Sequence, residues 1–165
     1  MNPETASIQQ GDLVDVAFNP QVNEYRSDRT PQMNVLDIRP SCRAACPQET
    51  SGYRALLADR LTEEIASLLL PDRPTLGMVW RYLARCTPGQ VQDTPICLCR
   101  KMVRWSGVSL SVQKMLVCLD IFSDVGLLET QRYHKYIMIR LMERAGKADL
   151  NESQTMQRLL QVKES

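Results

Sequence analysis

The sequence predicts a mainly α chain with β-hairpins, an α+β architecture in which an N-terminal two-stranded hairpin precedes a helical domain. Three observations predict it. Two runs near the N-terminus are rich in β-branched and aromatic residues and are separated by turn residues. From Tyr53 onward the apolar residues recur at helical spacing. A second pair of strand-like runs follows the last long helical stretch. At 165 residues the chain holds one ordinary domain with an appendage, and its 44% apolar and 24% charged residues suit a chain that buries a real core. No apolar run reaches the roughly 18–20 residues of a membrane span, so no membrane partner is expected. The first ten residues carry no signal-peptide pattern, so a cytoplasmic location is expected.

The elements follow in order. Asp12-Leu-Val-Asp-Val-Ala-Phe18 and Gln32-Met-Asn-Val-Leu-Asp-Ile38 read as strands of a long antiparallel hairpin with an irregular tip around residues 23–29, and residues 1–40 form this first unit. A two-stranded hairpin alone is marginally stable in water. It is therefore expected to pair with itself across a homodimer or to lean on the helices. Residues 41–52, with prolines and cysteines nearby, read as a linker. The helical domain, residues 53–165, opens with a helix bearing Leu57, Leu61, Ile65, Leu68 and Leu69 on one face and stopping at Pro71. Asp72 caps the next helix, with Pro74 in its first turn, and Leu76, Val79, Trp80 and Leu83 face inward. Thr94-Pro95 starts a third helix that runs to about Trp105. A fourth starts near Ser109 or Ser111 and ends at Gly126. Leu127 to Thr130 and Tyr136 to Leu141 read as a second hairpin around Gln131 to Lys135, and a last helix covers about Asn151 to Val162. Helix, helix, helix and two-stranded wing is the order of a winged helix. The fourth helix offers a DNA groove only Gln113 and Lys114 beside Asp120 and Asp124, so sequence-specific readout is not expected.

Charge is unevenly spread. Residues 1–74 hold eleven acidic and seven basic residues, net −4, whereas residues 95–147 hold nine basic and four acidic, net +5. Such a bias permits nucleic-acid contact and equally fits solvated helix faces. The six cysteines lack zinc spacing and are expected as free thiols in a reducing compartment. Metal-dependent phosphodiester hydrolysis needs clustered carboxylates and histidines, but the single histidine, His134, falls at the wing tip. No Gly-rich phosphate loop and no nucleophile elbow is present, and strand alternation makes Asp12, Asp15 and Asp37 solvent-facing. No self-sufficient catalytic site and no cofactor of its own are expected for this chain.

Several segments carry a resemblance. Gly11-Asp-Leu-Val-Asp-Val-Ala-Phe18, Asn23-Glu-Tyr-Arg26, Arg29 and Gln32-Met-Asn-Val-Leu-Asp-Ile-Arg39 resemble the last two strands of the OB-fold in the RecJ family of single-strand-specific DNA exonucleases. Leu70-Pro-Asp-Arg73 with Trp80-Arg-Tyr-Leu83, Leu119-Asp-Ile-Phe-Ser-Asp-Val-Gly-Leu127 and Gly146-Lys-Ala-Asp-Leu-Asn-Glu-Ser153 resemble that family's C-terminal domain. The resemblance runs from about Gly11 to Leu160. It departs from the family at Ser27, where the turn usually has glycine, and no position matches the earlier strands of the barrel. The resemblance implies that the hairpin is an OB-fold remnant and the helical domain the C-terminal part of a 5′–3′ exonuclease of recombination and repair. The Mn²⁺ or Mg²⁺ of that family belongs to an upstream nuclease core to which no residue here corresponds. The partners implied are single-stranded DNA and that core, or proteins onto which the nuclease docks.

Single strands are held by cations on phosphates and aromatic rings under bases. On the hairpin the candidates are Tyr25, Arg26 and Arg29; on the helical domain they are Lys101, Arg104, Trp105, Lys114, Arg132, Tyr133, His134 and Lys135. Each also reads as an ordinary solvated residue, and Trp105 as a core aromatic.

Overall fold

A computed structural model describes residue 8 and residues 14–25, 28–41, 47–86, 90–143 and 148–164, excluding the side chains of residues 24, 25, 28, 40 and 47. It is a mixed α/β chain with two small sheets and, among the described residues, six α-helices. The chain divides into two compact units, Met1–Cys42 and Arg43–Ser165.

The first unit is the antiparallel hairpin of β1 (Val14–Tyr25) and β2 (Asp28–Pro40). Its strands are longer and its tip tighter than the sequence predicts, because pairing continues through Asn23 with Thr30 and Glu24 with Arg29 to Tyr25 with Asp28. Side chains alternate between the faces of a strand, and directly opposed residues share a face. One extra residue, Leu36, is inserted opposite Ala17 and Phe18. That bulge keeps the two strands in phase. Val14, Val16, Phe18, Pro20 and Val22 of β1 therefore share one face with Pro31, Met33, Val35 and Ile38 of β2. The opposite face carries Asp15, Ala17, Asn19, Gln21 and Asn23 with Thr30, Gln32, Asn34, Asp37 and Arg39. Asp15 and Arg39, opposed in register, form an exposed ion pair at 3.6 Å.

The second unit starts with a 3-10 turn at Pro47–Thr50, inside the expected linker, and passes into α1 (Ser51–Leu57) and α2 (Glu63–Leu69). The sequence predicts one helix here. The structure breaks it, since Asp59 takes a left-handed φ of 56° and the Thr62 hydroxyl accepts from Ile65 N–H, capping a new start. Asp72 caps α3 (Arg73–Arg85), accepting from Thr75 N–H at 2.9 Å, and this hydrogen bond holds its carboxyl below the usual range. A short strand unforeseen in the sequence, β3 (Gln90–Asp93), leads to α4 (Pro95–Ser106), which Thr94 caps and which ends at Gly107 with φ 70°. Ser111 caps α5 (Val112–Asp124), and Gly126 follows at φ 69°, a left-handed position suited to glycine.

β4 (Leu128–Tyr133) and β5 (Tyr136–Leu141) complete a three-stranded antiparallel sheet of order β3-β5-β4. The last helix, α6 (Gln154–Lys163), starts later than the sequence predicts because Ser153 caps it and residues 150–152 form a 3-10 turn. Asp124 reinforces that start, accepting from Ser153 Oγ at 2.7 Å and from Thr155 N–H at 2.8 Å. α5 is the central helix of this unit. Its Met115 to Leu119, Ile121 and Phe122 are buried, enclosed by α1, α2, α4, α6 and β4.

Candidate nucleic-acid interface

The side chains best arranged to meet a nucleic acid lie on α3 and α4. α3 carries Arg73, Arg81 and Arg85, α4 carries Arg100, Lys101 and Arg104, and neither helix contains an acidic residue. Arg81 and Arg85 are one turn apart and so share a face; Lys101 and Trp105 are related in the same way. Trp105 is not the core aromatic that one reading of the sequence allowed, since it is 39% exposed. Tyr82 meets it edge to face at 5.7 Å, and the Arg85 guanidinium lies 5.9 Å from its ring centre. The Tyr82 hydroxyl is pushed up to about 12 by burial and then by Cys86. The indole is thus fixed on one side by tyrosine and overlaid by a cation while keeping solvent access. Lys101, still exposed, is anchored by Asp93 at 2.7 Å, and Asp93 in turn accepts from Thr94 N–H at the start of α4. Arg104 is exposed beside Trp105.

A second group forms the β4–β5 turn. Tyr133 is 69% exposed and stands edge to face with His134 at 4.4 Å; Lys135 Nζ lies 5.4 Å from the ring centre of Tyr136. His134 is held at φ 52°. The sequence candidates Tyr133, His134 and Lys135 are therefore brought together as one exposed aromatic and basic tip.

Other candidates are engaged elsewhere. Arg132 pairs with Asp120 at 3.4 Å, donates to the Tyr53 hydroxyl and covers the Tyr53 ring at 5.0 Å. Like Lys101 with Asp93, it stays exposed while making these contacts. Lys114 sits in the first turn of α5, half-buried, near enough to Asp72 to help hold that carboxyl down. Arg29 is exposed on β2 near the hairpin tip; Arg26 and the Tyr25 side chain lie outside the described residues, as do Asp12, Cys42 and Cys46.

The polar side of α5 is largely covered. Gln113 accepts from Gly52 N–H at 3.1 Å, and Asp120 accepts from the Tyr53 hydroxyl. Two of the four polar side chains on that helix that could address bases are thus bonded to α1, and Asp124 is bonded to the start of α6. A groove-binding helix must present its polar side freely.

The described residues also bound several cavities. One of about 670 Å³ is lined chiefly by Leu76, Trp80, Phe122, Leu127, Leu150 and Met156, and one of about 480 Å³ by Tyr53, Asp120, Asp124, Arg132, Thr155 and Arg158. In the second the acids are already bonded to Tyr53, Arg132 and the start of α6. Among the described residues no three His, Cys, Asp or Glu converge on a point that could hold a metal ion. Burial raises the Cys99 thiol to about 11 and the Cys118 thiol to about 12, so neither supplies a thiolate near neutral pH. No helix among the described residues is long and apolar enough to cross a membrane.

The sequence reading missed Arg81, Tyr82 and Arg85. Three arginines without an acid in thirteen residues were visible in the sequence, but the exposure of Trp105 that makes them a site depends on how α3 meets α4. No protein-family model, no curated protein and no solved structure matches the chain.

Proposed function

We propose that this chain is the non-catalytic C-terminal part of a RecJ-like single-stranded-DNA-specific exonuclease of recombination and repair, and that it adds grip on the single strand. The observation that carries the reading is the exposed Trp105, backed by Tyr82 and overlaid by Arg85, on two adjacent helices with six cations and no acid. A ring stacked under a base and cations on the flanking phosphates are what a sequence-tolerant single-strand site requires. The wing tip of Tyr133, His134 and Lys135 offers the same two chemistries. The element order α3-β3-α4-α5-β4-β5, with a sheet of order β3-β5-β4, supports the winged-helix reading. The covered α5 favours contact with a backbone over reading of a duplex. The hairpin, with one apolar and one polar face, supports its reading as the remnant of a larger β structure such as an OB-fold. Chemistry on the phosphodiester, with its Mn²⁺ or Mg²⁺, belongs in this reading to the upstream core and a cytoplasmic enzyme.

A second reading, a domain that docks the nuclease onto protein partners, is favoured by the exposed apolar hairpin face. Fluorescence anisotropy with a labelled single-stranded oligonucleotide separates the two. Binding to the single strand in preference to a duplex of the same sequence, weakened by Trp105→Ala by roughly 5- to 150-fold, is expected for loss of one base stack worth about 1–3 kcal/mol. No binding at low salt overturns the proposal in favour of docking.

A further inference from the structure

We infer that the apolar face of the N-terminal hairpin is an association surface for a second copy of the chain, two hairpins stacking face to face as a four-stranded sandwich. The face is continuous: Val16, Phe18, Val22, Met33 and Val35 are 40–64% exposed, and Ile38 continues them at the base. Two paired strands cannot cover their own face, so water meets it unless another surface does. Patches of this kind on a chain's exterior mark association sites.

The backbone shows why the contact is through the face and not through strand addition at an edge. A proline fits a paired strand only where its nitrogen points away from the partner strand. Pro20 stands opposite Met33 and Pro31 opposite Val22, positions of the same pairing type two residues apart. Each open edge therefore carries a position with no N–H to offer, Pro20 on β1 and Pro31 on β2. Prolines on an edge block its extension by a further strand. Of the two expectations for the hairpin, self-pairing or leaning on the helices, the first is thus inferred here, through faces and not edges.

Charge and size favour a second copy as the occupant. The nine apolar residues of the face, which include Val14, Pro20 and Pro31, carry no charge, and Asp15, Asp37 and Arg39 all point to the other side, so two like faces meet without repulsion. Phe18 and Val35, opposed in register, lie near the middle of the face. A two-fold axis between the sheets then matches the middle of one face with that of the other, as an isologous contact requires. Nine apolar side chains exposing on the order of 50–80 Å² each give roughly 900–1,400 Å² buried over both copies, at the threshold of about 1,000–1,200 Å² for specific association. The sheets would stack about 10 Å apart, the usual spacing of a sandwich.

Sedimentation velocity on the full chain from about 1 to 100 µM tests this. The expected result is a concentration-dependent shift from the 18.8 kDa chain to a species of twice that mass. Phe18→Asp and Val35→Asp, each placing a charge in the contact, are expected to weaken dimerisation by at least about 100-fold. Asn19→Asp on the polar face is expected to leave it unchanged. Wild-type chain that stays monomeric throughout overturns the inference, whether the helical unit or another protein then covers the face. A dimer that survives Phe18→Asp also overturns it. Isotope-filtered NOE spectra of mixed labelled and unlabelled wild-type chains make the test independent of whether the variants fold. Cross-chain contacts between the Phe18 ring and the Val35 methyls are expected, and a dimer without them contradicts the face-to-face arrangement.

Discussion

The Tyr53 hydroxyl donates to Asp120, joining α1 to the middle of α5 across 67 residues of sequence, and Arg132 closes the cluster from β4. Tyr53 is itself buried, and its hydroxyl is pushed above its ordinary value first by that burial and then by Asp120. Removing the hydroxyl while keeping the ring takes away the donor that ties Asp120 to α1. Tyr53→Phe is expected to destabilise the helical unit by about 1.5–3 kcal/mol, the range for a hydrogen bond to a charged group. Urea unfolding followed by far-UV circular dichroism checks it; an unchanged midpoint at unchanged slope contradicts the assigned role.

The same cluster predicts a pH dependence. Burial raises the Asp120 carboxyl above its usual range, outweighing the Tyr53 hydrogen bond and the Arg132 charge that lower it. The folded protein therefore holds this proton more tightly than the unfolded chain does. The resulting stabilisation is fully present below the unfolded value of about 3.9 and is lost as pH rises through the folded value. Asp120→Asn removes this titration and leaves the other carboxylates in place. Stability curves of wild type and variant are expected to diverge upward from about pH 4, with the wild type losing ground; parallel curves contradict the shift.

His134 is one of two described residues other than glycine with a positive φ. An L side chain there costs about 1 kcal/mol or more, and glycine relieves it at some expense in chain entropy. His134→Gly is expected to leave the melting temperature unchanged or raise it by a few degrees, and to weaken single-strand binding only slightly while Tyr133 and Lys135 remain. A large loss of stability contradicts the strain assigned to this turn.

Much of the fold follows from local signals. Asp72 with Pro74, Thr94 with Pro95, and the glycines at 107 and 126 mark helix limits through backbone chemistry that needs no tertiary information. The strand pattern was equally legible, but the bulge at Leu36 was not, since a single inserted residue shows only when the facing strand is known. The break at Asp59 escaped because leucine spacing runs on through it, and β3 because four residues carry too short a period. The site divides along the same line. Arg104, Lys101 and the wing tip were visible as charges and rings. That Arg132 is engaged by residues 12 and 79 positions away, and that Trp105 lies open beside Arg85, are outcomes of tertiary packing.

The salt dependence of binding to a single-stranded oligonucleotide tests the proposed single-strand grip of α3 and α4 most directly. Arg81, Arg85, Lys101 and Arg104 on phosphates predict a slope of log affinity against log salt of about −3, at roughly 0.7 per cation engaged. Arg85→Ala with Arg104→Ala is expected to bring the slope to about −1.4. A slope near zero, or one that the double substitution leaves unchanged, contradicts the claim.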